Sequence, residues 1–443
     1  MIKIACICLT IVAAMPLFSQ VEPSATGGGF SLDDSRMMTP PPVSNGAYPA
    51  TVGAETRSNY VTGGLVVTGA YNDNVLVGGT QKVGDSSYSI VPMISFDRRT
   101  SHQSVSMSYN SGFTLYQNTT SLNGITQGGT AGYRFHLSPY AVLSVSDTFT
   151  QNHNLFNQPN PFSGSGLSAS GPSPTSVYVY PFQNQLGNSI NGALEYQYGR
   201  NAMVGGGGTY SILRFSNLSS TPGVANSNAD GGSAFWSRRL TPGQYAGVIY
   251  QYSNITTQPI QTSTITNTVF GFYTRYLTRT VSISVLGGPQ HFHSSESVPS
   301  VVSGSWTPAI QGSVGYQKAR TNLAADYSHI VSGAGGLAGA YHSNVADLQA
   351  RRQITSKWNV GASVSYALFK SVTPETSYFS SGGHTIAGVA SVQRNFHERF
   401  RMEVGYGRFH QSYGQTAPGT QVFPDCNREY ASVTYGFYRP IGR

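Results

Sequence analysis

The chain has 443 residues and a formal net charge of +8, yet only 10% of it is charged, 12% is aromatic and 51 residues are Gly. A soluble domain carries about a quarter charged residues, and a disordered chain is poor in aromatics, so composition argues against both. It suits one surface in lipid and another lined by neutral polar groups.

The first segment, "MIKIACICLTIVAAMPLFSQ", has one Lys, an uncharged apolar run from Ile4 to Phe18, and the small residue Ser19 before Gln20. That layout predicts a secretory signal peptide over 1–19, too short for a membrane span. Cys6 and Cys8 fall inside it, which leaves Cys426 alone in the mature chain and no intramolecular disulfide. Residues 20–57, with "GGGF" and "TPPPV", show little periodicity and read as a flexible periplasmic tail.

From Tyr60 onward the period is two. "NVGASVSYAL" sets Val360, Ala362, Val364, Tyr366 and Leu368 against Asn359, Gly361, Ser363, Ser365 and Ala367. "FRMEVGYG" sets Phe400, Met402, Val404 and Tyr406 against Arg401, Glu403, Gly405 and Gly407. No run of about 18 apolar residues follows the first segment, so no transmembrane helix is expected. About eighteen strands are predicted, in chain order near 60–71, 86–97, 103–116, 127–135, 140–151, 189–199, 202–214, 228–238 and 244–253. The series continues near 264–276, 279–288, 308–317, 321–331, 343–352, 357–368, 384–395, 399–410 and 428–439.

Eight connections are short and basic: "DRRTSH", "RFHLSP", "YGRNAM", "RRLTPGQ", "RYLTRTV", "QKARTN", "RRQITSKW" and "RNFHERFR" hold 16 of the 26 Lys and Arg. Nine longer ones alternate with them, including 152–188, 254–263 and 289–307. In an antiparallel ring every short turn, and both termini, then fall at one end. Hydrocarbon leaves no water to satisfy a free strand edge, so a membrane sheet must close. The expected fold is all-β: a transmembrane antiparallel up-and-down barrel over 58–443, apolar face to lipid, neutral polar face to an aqueous lumen. Tyr133, Phe135, Tyr276, Trp358 and Tyr435, near strand ends, fit interfacial girdles.

This organisation resembles the porins of Gram-negative bacteria and, more closely, the porin-like barrels of bacterial genomes, in architecture rather than in any motif. The resemblance implies an outer-membrane location with short turns and termini periplasmic, and passive diffusion of small hydrophilic solutes. It also implies contact with outer-membrane lipid and with the assembly machinery, and it is compatible with an oligomer. The stretch Asn152 to Asn188 is the third outer loop, which in general porins folds inward as a constriction. It departs from that pattern in having no Asp, Glu, Lys or Arg. Its Phe156, Phe162, Tyr178, Tyr180 and Phe182 would offer sugar-stacking faces, or the stretch is a plain surface loop. The C-terminus departs too: "ASVTYGFY" is followed by "RPIGR", so an assembly signal would rest on Tyr435 and Phe437.

Alternation places Glu195, Asp326, Asp347 and Glu403 in the lumen with Arg275, Arg351 and Arg401. Mixed signs in a wide pore predict weak ion selectivity. No G-x-S-x-G, H-E-x-x-H or paired-Cys spacing appears, so no catalysis and no cofactor are expected. His291 and His293, with Glu296 nearby, have metal-compatible chemistry but lie at a predicted loop edge and read as polar loop residues. Dispersal of the positive charge over eight turns argues against nucleic acid. An export barrel for a secreted polymer and a plugged structural or adhesive barrel would use the same fold.

Overall fold

A computed structural model describes residue 37 and residues 59–76, 81–152, 184–216, 225–258, 261–278, 280–297, 300–333, 340–372, 382–397, 399–413 and 425–441. The strands are β1 (Tyr60–Asn72), β2 (Asp85–Arg99), β3 (Gln103–Tyr116), β4 (Gly124–His136), β5 (Ala141–Asn152) and β6 (Gln185–Gly199). Next come β7 (Ala202–Phe215), β8 (Asn226–Thr241), β9 (Gln244–Gln258), β10 (Thr262–Tyr276), β11 (Val281–Ser297) and β12 (Ser300–Lys318). The ring ends with β13 (Thr321–Gly333), β14 (Ala340–Gln353), β15 (Trp358–Ser371), β16 (Gly382–His397), β17 (Phe400–Tyr413) and β18 (Asp425–Pro440). Each pairs antiparallel with its sequence neighbours, and β1 pairs with β18 from Tyr60↔Pro440 to Asn72↔Arg428. The sheet is therefore a closed 18-stranded barrel with no free edge between first and last strands.

Alternation explains which face points out. On β15, Val364, Tyr366 and Leu368 are 49%, 39% and 38% exposed, while Ala367 and Phe369 are each 3% exposed. The convex outer face spreads side chains apart and the concave inner face crowds them, so the exposed apolar set is the exterior. Such an exterior is stable only against hydrocarbon. The inner face carries hydroxyl pairs across strands, among them Thr274–Ser284 and Thr264–Ser294, both 2.8 Å. Glycine opposite an aromatic keeps this inner face flat. The Phe272 ring lies over Gly247 at 2.6 Å from where a Cβ would sit, and the Tyr430 ring lies over Gly405.

The eight short connections are two to four residues long and stand at one end with the start of β1 and the end of β18. At the turn Thr241–Gln244, Pro242 precedes Gly243, whose φ of 95° is the left-handed conformation of a type II turn. At the opposite, loop end, Asp73 accepts hydrogen bonds from Asn427 N–H (2.6 Å) and Nδ2 (2.8 Å) and an ion pair from Lys82 (2.9 Å). This fastens the first loop across the β1–β18 seam.

Three expectations need correction. The connections near 254–263 and 289–307 are not long loops: β9 and β10 are joined through 259–261, and β11 and β12 through 298–299. Strict short/long alternation therefore fails, because these strands continue past the hydrocarbon requirement as paired hairpins. The loop-end part of β12 diverges from β13, whose mutual register begins only at Ile310↔His329. Gln290 spans the opening inside, donating to Val331 O (3.2 Å) and accepting from Val331 N–H (2.7 Å). Second, Tyr276 and third, Arg275, stand on the faces opposite to those expected. On β10 the exposed residues are Val269 and Tyr273, which share parity with Arg275, while Phe270, Phe272 and Thr274 are 4% exposed or less. Arg275 thus points outward beside the turn, where its stem lies along the wall and its head reaches water. Tyr276 points inward. One slip of a residue exchanges both, as strand geometry requires.

Candidate functional site

The candidate site is the inner wall, which carries a charged cluster on one side and an apolar cluster on another. On β13 to β18 the wall is charged and hydrogen-bonded. Arg351 and Asp347 on β14 and Arg401 and Glu403 on β17 share the inward parity of their strands, as does Asp326 on β13. Arg351 Nη2 donates to Gln393 Oε1 at 3.1 Å, and Gln393 Nε2 donates to Asn395 Oδ1 at 3.0 Å. The Tyr430 hydroxyl donates to Glu403 Oε1 at 2.8 Å. The guanidinium groups of Arg351 and Arg401 both act electrostatically on Glu403, whose side chain also bonds Ser391. Arg351, Arg401 and Glu403 all lie within the turn-end portion of their strands, so the cluster sits near that mouth. Asp326 and Asp347 face each other directly across β13 and β14, and Asp347 is held by Ser365.

Glu195 also points inward, on β6, but stands far around the ring from the Arg351 cluster. The structure therefore gathers Arg351, Arg401, Glu403 and, beside them, Asp347 and Asp326; it leaves Glu195 apart and excludes Arg275. Phe156, Phe162, Tyr178, Tyr180 and Phe182 lie outside the described residues. Sequence reading missed Gln393 and Tyr430, which fix the ions in place. Their signal was parity with Arg351 and Glu403 through the β15–β16 and β17–β18 registers.

On β7 to β12 the inner wall is largely neutral and polar, as at Thr264, Thr268, Thr274, Ser282 and Ser284, but an apolar cluster interrupts it. Met203, Tyr245, Ile249, Phe270, Phe272, Leu286 and Ala309 form one buried inward cluster, with Phe235, Tyr276 and Ile330 packed against it. Met37 belongs to this cluster and is 7% exposed. Its N–H donates to Gln197 Oε1 at 3.0 Å. The segment 20–57 is thus not wholly a tail outside the barrel: one of its residues is seated within the lumen.

His291 and His293 stand on the outer face of the β11–β12 hairpin, where the His291 ring contacts Trp306 with centroids 4.9 Å apart. Among the described residues no group of three His, Cys, Asp or Glu side chains is placed to hold a metal ion. Of the expected girdle, Tyr133 and Phe135 stack at 6.2 Å and 10°, and Arg394 lies 5.1 Å over the Trp358 ring.

No family model matches the chain, and no curated protein matches it. Solved structures that it resembles include the ferric citrate transporter FecA in its unliganded form, with 10% identity and a TM-score of 0.43 over 86% of this chain. This chain spans 64% of the length of FecA. OpdK from Pseudomonas aeruginosa shows 8% identity and a TM-score of 0.41, covering 86% of this chain and 99% of OpdK. OccAB4 from Acinetobacter baumannii shows 9% identity and a TM-score of 0.42, covering 87% and 99%.

Proposed function

We propose that the chain is an outer-membrane channel through which small hydrophilic solutes diffuse passively, with its turn end and both barrel termini in the periplasm. The observation that carries this reading is the closed ring of 18 strands with an apolar exterior and a charged, hydrogen-bonded inner wall on β13 to β18. A ring of 16 to 18 strands encloses an aqueous channel, and polar and charged side chains face such an interior without the cost that they would incur in lipid.

In this reading Asp326, Asp347, Arg351, Arg401 and Glu403 line one side of the path and Glu195 lines part of the other. Their signs are mixed, and water at physiological salt screens charge within about 8 Å, so neutral solutes pass about as readily as ions. Segment 1–19 directs export, and Tyr435 and Phe437, both 46% exposed on the outer face, serve as the assembly signal. Planar-bilayer recording tests the channel: ohmic steps with a reversal potential well short of the ideal for either ion sign are expected, and a silent bilayer refutes it. For orientation, in a Cys426→Ser background, Val298→Cys should react with an impermeant thiol reagent on intact cells and Pro242→Cys should not. The reverse pattern inverts the topology.

A further inference from the structure

The outer face of a membrane barrel is apolar at mid-height and aromatic where the strands leave hydrocarbon. Near the loop end of β13 to β17 that face carries basic and titratable groups instead. His329 on β13, His342 on β14, Lys370 on β15, His384 on β16 and His410 on β17 give one for each neighbouring strand. They share the outward parity of Tyr327, Leu348, Leu368, Ile386 and Tyr406, all exposed, and each stands close to the loop end of its strand. The row is continuous. Register sets His342 opposite Lys370, and the rings stack in two pairs, His329 with His342 at 6.3 Å and His384 with His410 at 5.2 Å between centroids.

One ring of each pair is held in a fixed tautomer. Asn344 Oδ1 and Asp425 Oδ1 can only accept, so His329 Nδ1 and His410 Nδ1 donate to them, at 2.8 and 3.2 Å. Nε2 of those rings is then the atom that takes up a further proton and becomes a second donor. Stacked imidazolium rings repel each other unless an anion offsets their charge. Among the described residues, no Asp or Glu of β13 to β17 shares this face. Carboxylates stand only at its border: Asp425 on β18, already paired with Arg408 (3.3 Å) and His410, exposed Glu429, and Asp73 with Lys82 across the seam. On the other side the Phe292 ring of β11 meets His342 edge-on at 5.8 Å, with His291 and His293 on the far face of that strand. Further from the loop end on the same outer face, Ala390 and Val392 on β16, Val404 and Tyr406 on β17 and Ala431 on β18 line an apolar groove. Tyr406 is followed on the same parity by Arg408 and His410, so the groove meets the basic row.

We propose that this face binds the phosphate headgroup of a membrane lipid in the leaflet at the loop end, with protonated His329, His342, His384 and His410 as donors beside Lys370 and Arg408, and one acyl chain in the groove. Phosphate oxygens accept charge-assisted hydrogen bonds from imidazolium, ammonium and guanidinium alike. Histidine in model peptides titrates at about 6.5, so binding is present below that pH and lost as pH rises through it. The site requires the barrel in a bilayer; it does not depend on solute passage.

The test uses the purified barrel in phosphatidylcholine vesicles, with spin-labelled phosphatidylglycerol or spin-labelled phosphatidylcholine as probe. Electron spin resonance reads the fraction of each probe immobilised on the protein. A phosphodiester keeps one negative charge throughout, so the probe itself does not titrate. At mildly acid pH phosphatidylglycerol should be preferred about fivefold, the attraction of roughly one surface cation, and at mildly alkaline pH the two probes should bind nearly alike. Replacing all four histidines, His329→Gln, His342→Gln, His384→Gln and His410→Gln, should abolish the acid preference, while the turn-end pair His102→Gln and His397→Gln should leave it unchanged. His384→Gln with His410→Gln alone should lower it, which keeps the test open if the fourfold variant does not fold. No preference at acid pH, or its survival in these variants, overturns the site. Displacement of the lipid probe by inorganic phosphate assigns the site to the free anion and overturns the lipid. Ala390→Trp fills the groove and should lower the immobilised phosphatidylglycerol; an unchanged fraction overturns the seat of the acyl chain.

Discussion

Two regions of the inner wall differ where their outer faces agree. On β15 the outward Val364 and Tyr366 oppose inward Ser363 and Ser365; on β10 the outward Val269 and Tyr273 oppose inward Phe270 and Phe272. Lipid imposes the same demand on every strand from outside, so only the inward residues distinguish one strand from the next. Where they are polar, the wall is built for water. Where they are aromatic, the side chains pack on one another along the wall.

Paired substitutions break or sharpen that contrast. An arginine on the lipid face near the midplane costs about 2–4 kcal/mol. In β15, Val364→Arg should therefore lose the heat-resistant barrel in gel-shift unfolding, and Ser363→Arg should keep it. In β10, Val269→Arg and Phe270→Arg should both lose it. Tolerance of Phe270→Arg equal to that of Ser363→Arg would mean that the apolar cluster is wet.

A smaller effect separates the same faces through glycine. A Cβ at Gly247 meets the Phe272 ring at 2.6 Å, whereas at outward Gly271 the nearest atom is 3.8 Å away. Overpacking costs about 1–3 kcal/mol. Denaturant midpoints should fall for Gly247→Val and stay near the unaltered value for Gly271→Val.

In the charged cluster, Glu403→Gln leaves Arg351 and Arg401 without their carboxylate. The reversal potential in a salt gradient should move toward anions, and Arg351→Gln should move it toward cations. Identical shifts in both variants would separate this cluster from the ion path.

The smallest effect lies at the loop end. Burial opposes ionisation of Asp73, but hydrogen bonds from Asn427 and Lys82 outweigh it and hold the carboxyl below the ordinary 3.8. Its contribution is complete above 3.8 and is lost as pH falls through the lowered folded value. The pair with Lys82 lies in solvent on the lysine side and adds little. Proteolysis of the first loop should accelerate below pH 3.8 in the unaltered chain, and Asp73→Asn should remove that pH step.

All eighteen strands were legible in the sequence, because period-two alternation survives wherever one face is apolar and the other is not. Arg351, Arg401 and Glu403 were placed on the inward face for the same reason. Arg275 and Tyr276 were not, since "TVFGFYTRY" is apolar on both faces and offers no contrast to set parity. The β11–β12 hairpin was read as a loop because "HFHSSES" and "SVVSGSW" mix polar and apolar residues on both faces, so period two is lost although pairing continues. Met37 gave no signal. Its contacts are with wall residues 160 or more positions away, which local pattern does not contain.

The β1–β18 register joins Tyr60 to Pro440, positions separated by most of the chain. The first strand pairs with β2 on one side, but its other edge has no partner in the ring until β18 is in place. Contacts this distant in sequence form slowly, and exposed strand edges pair with whatever edge they meet first. Loss of the last sixteen residues of the ring, Asp425–Pro440, would leave β1 and β17 as two permanent edges. The seam thus makes closure of the whole ring depend on a strand pair that local sequence cannot form.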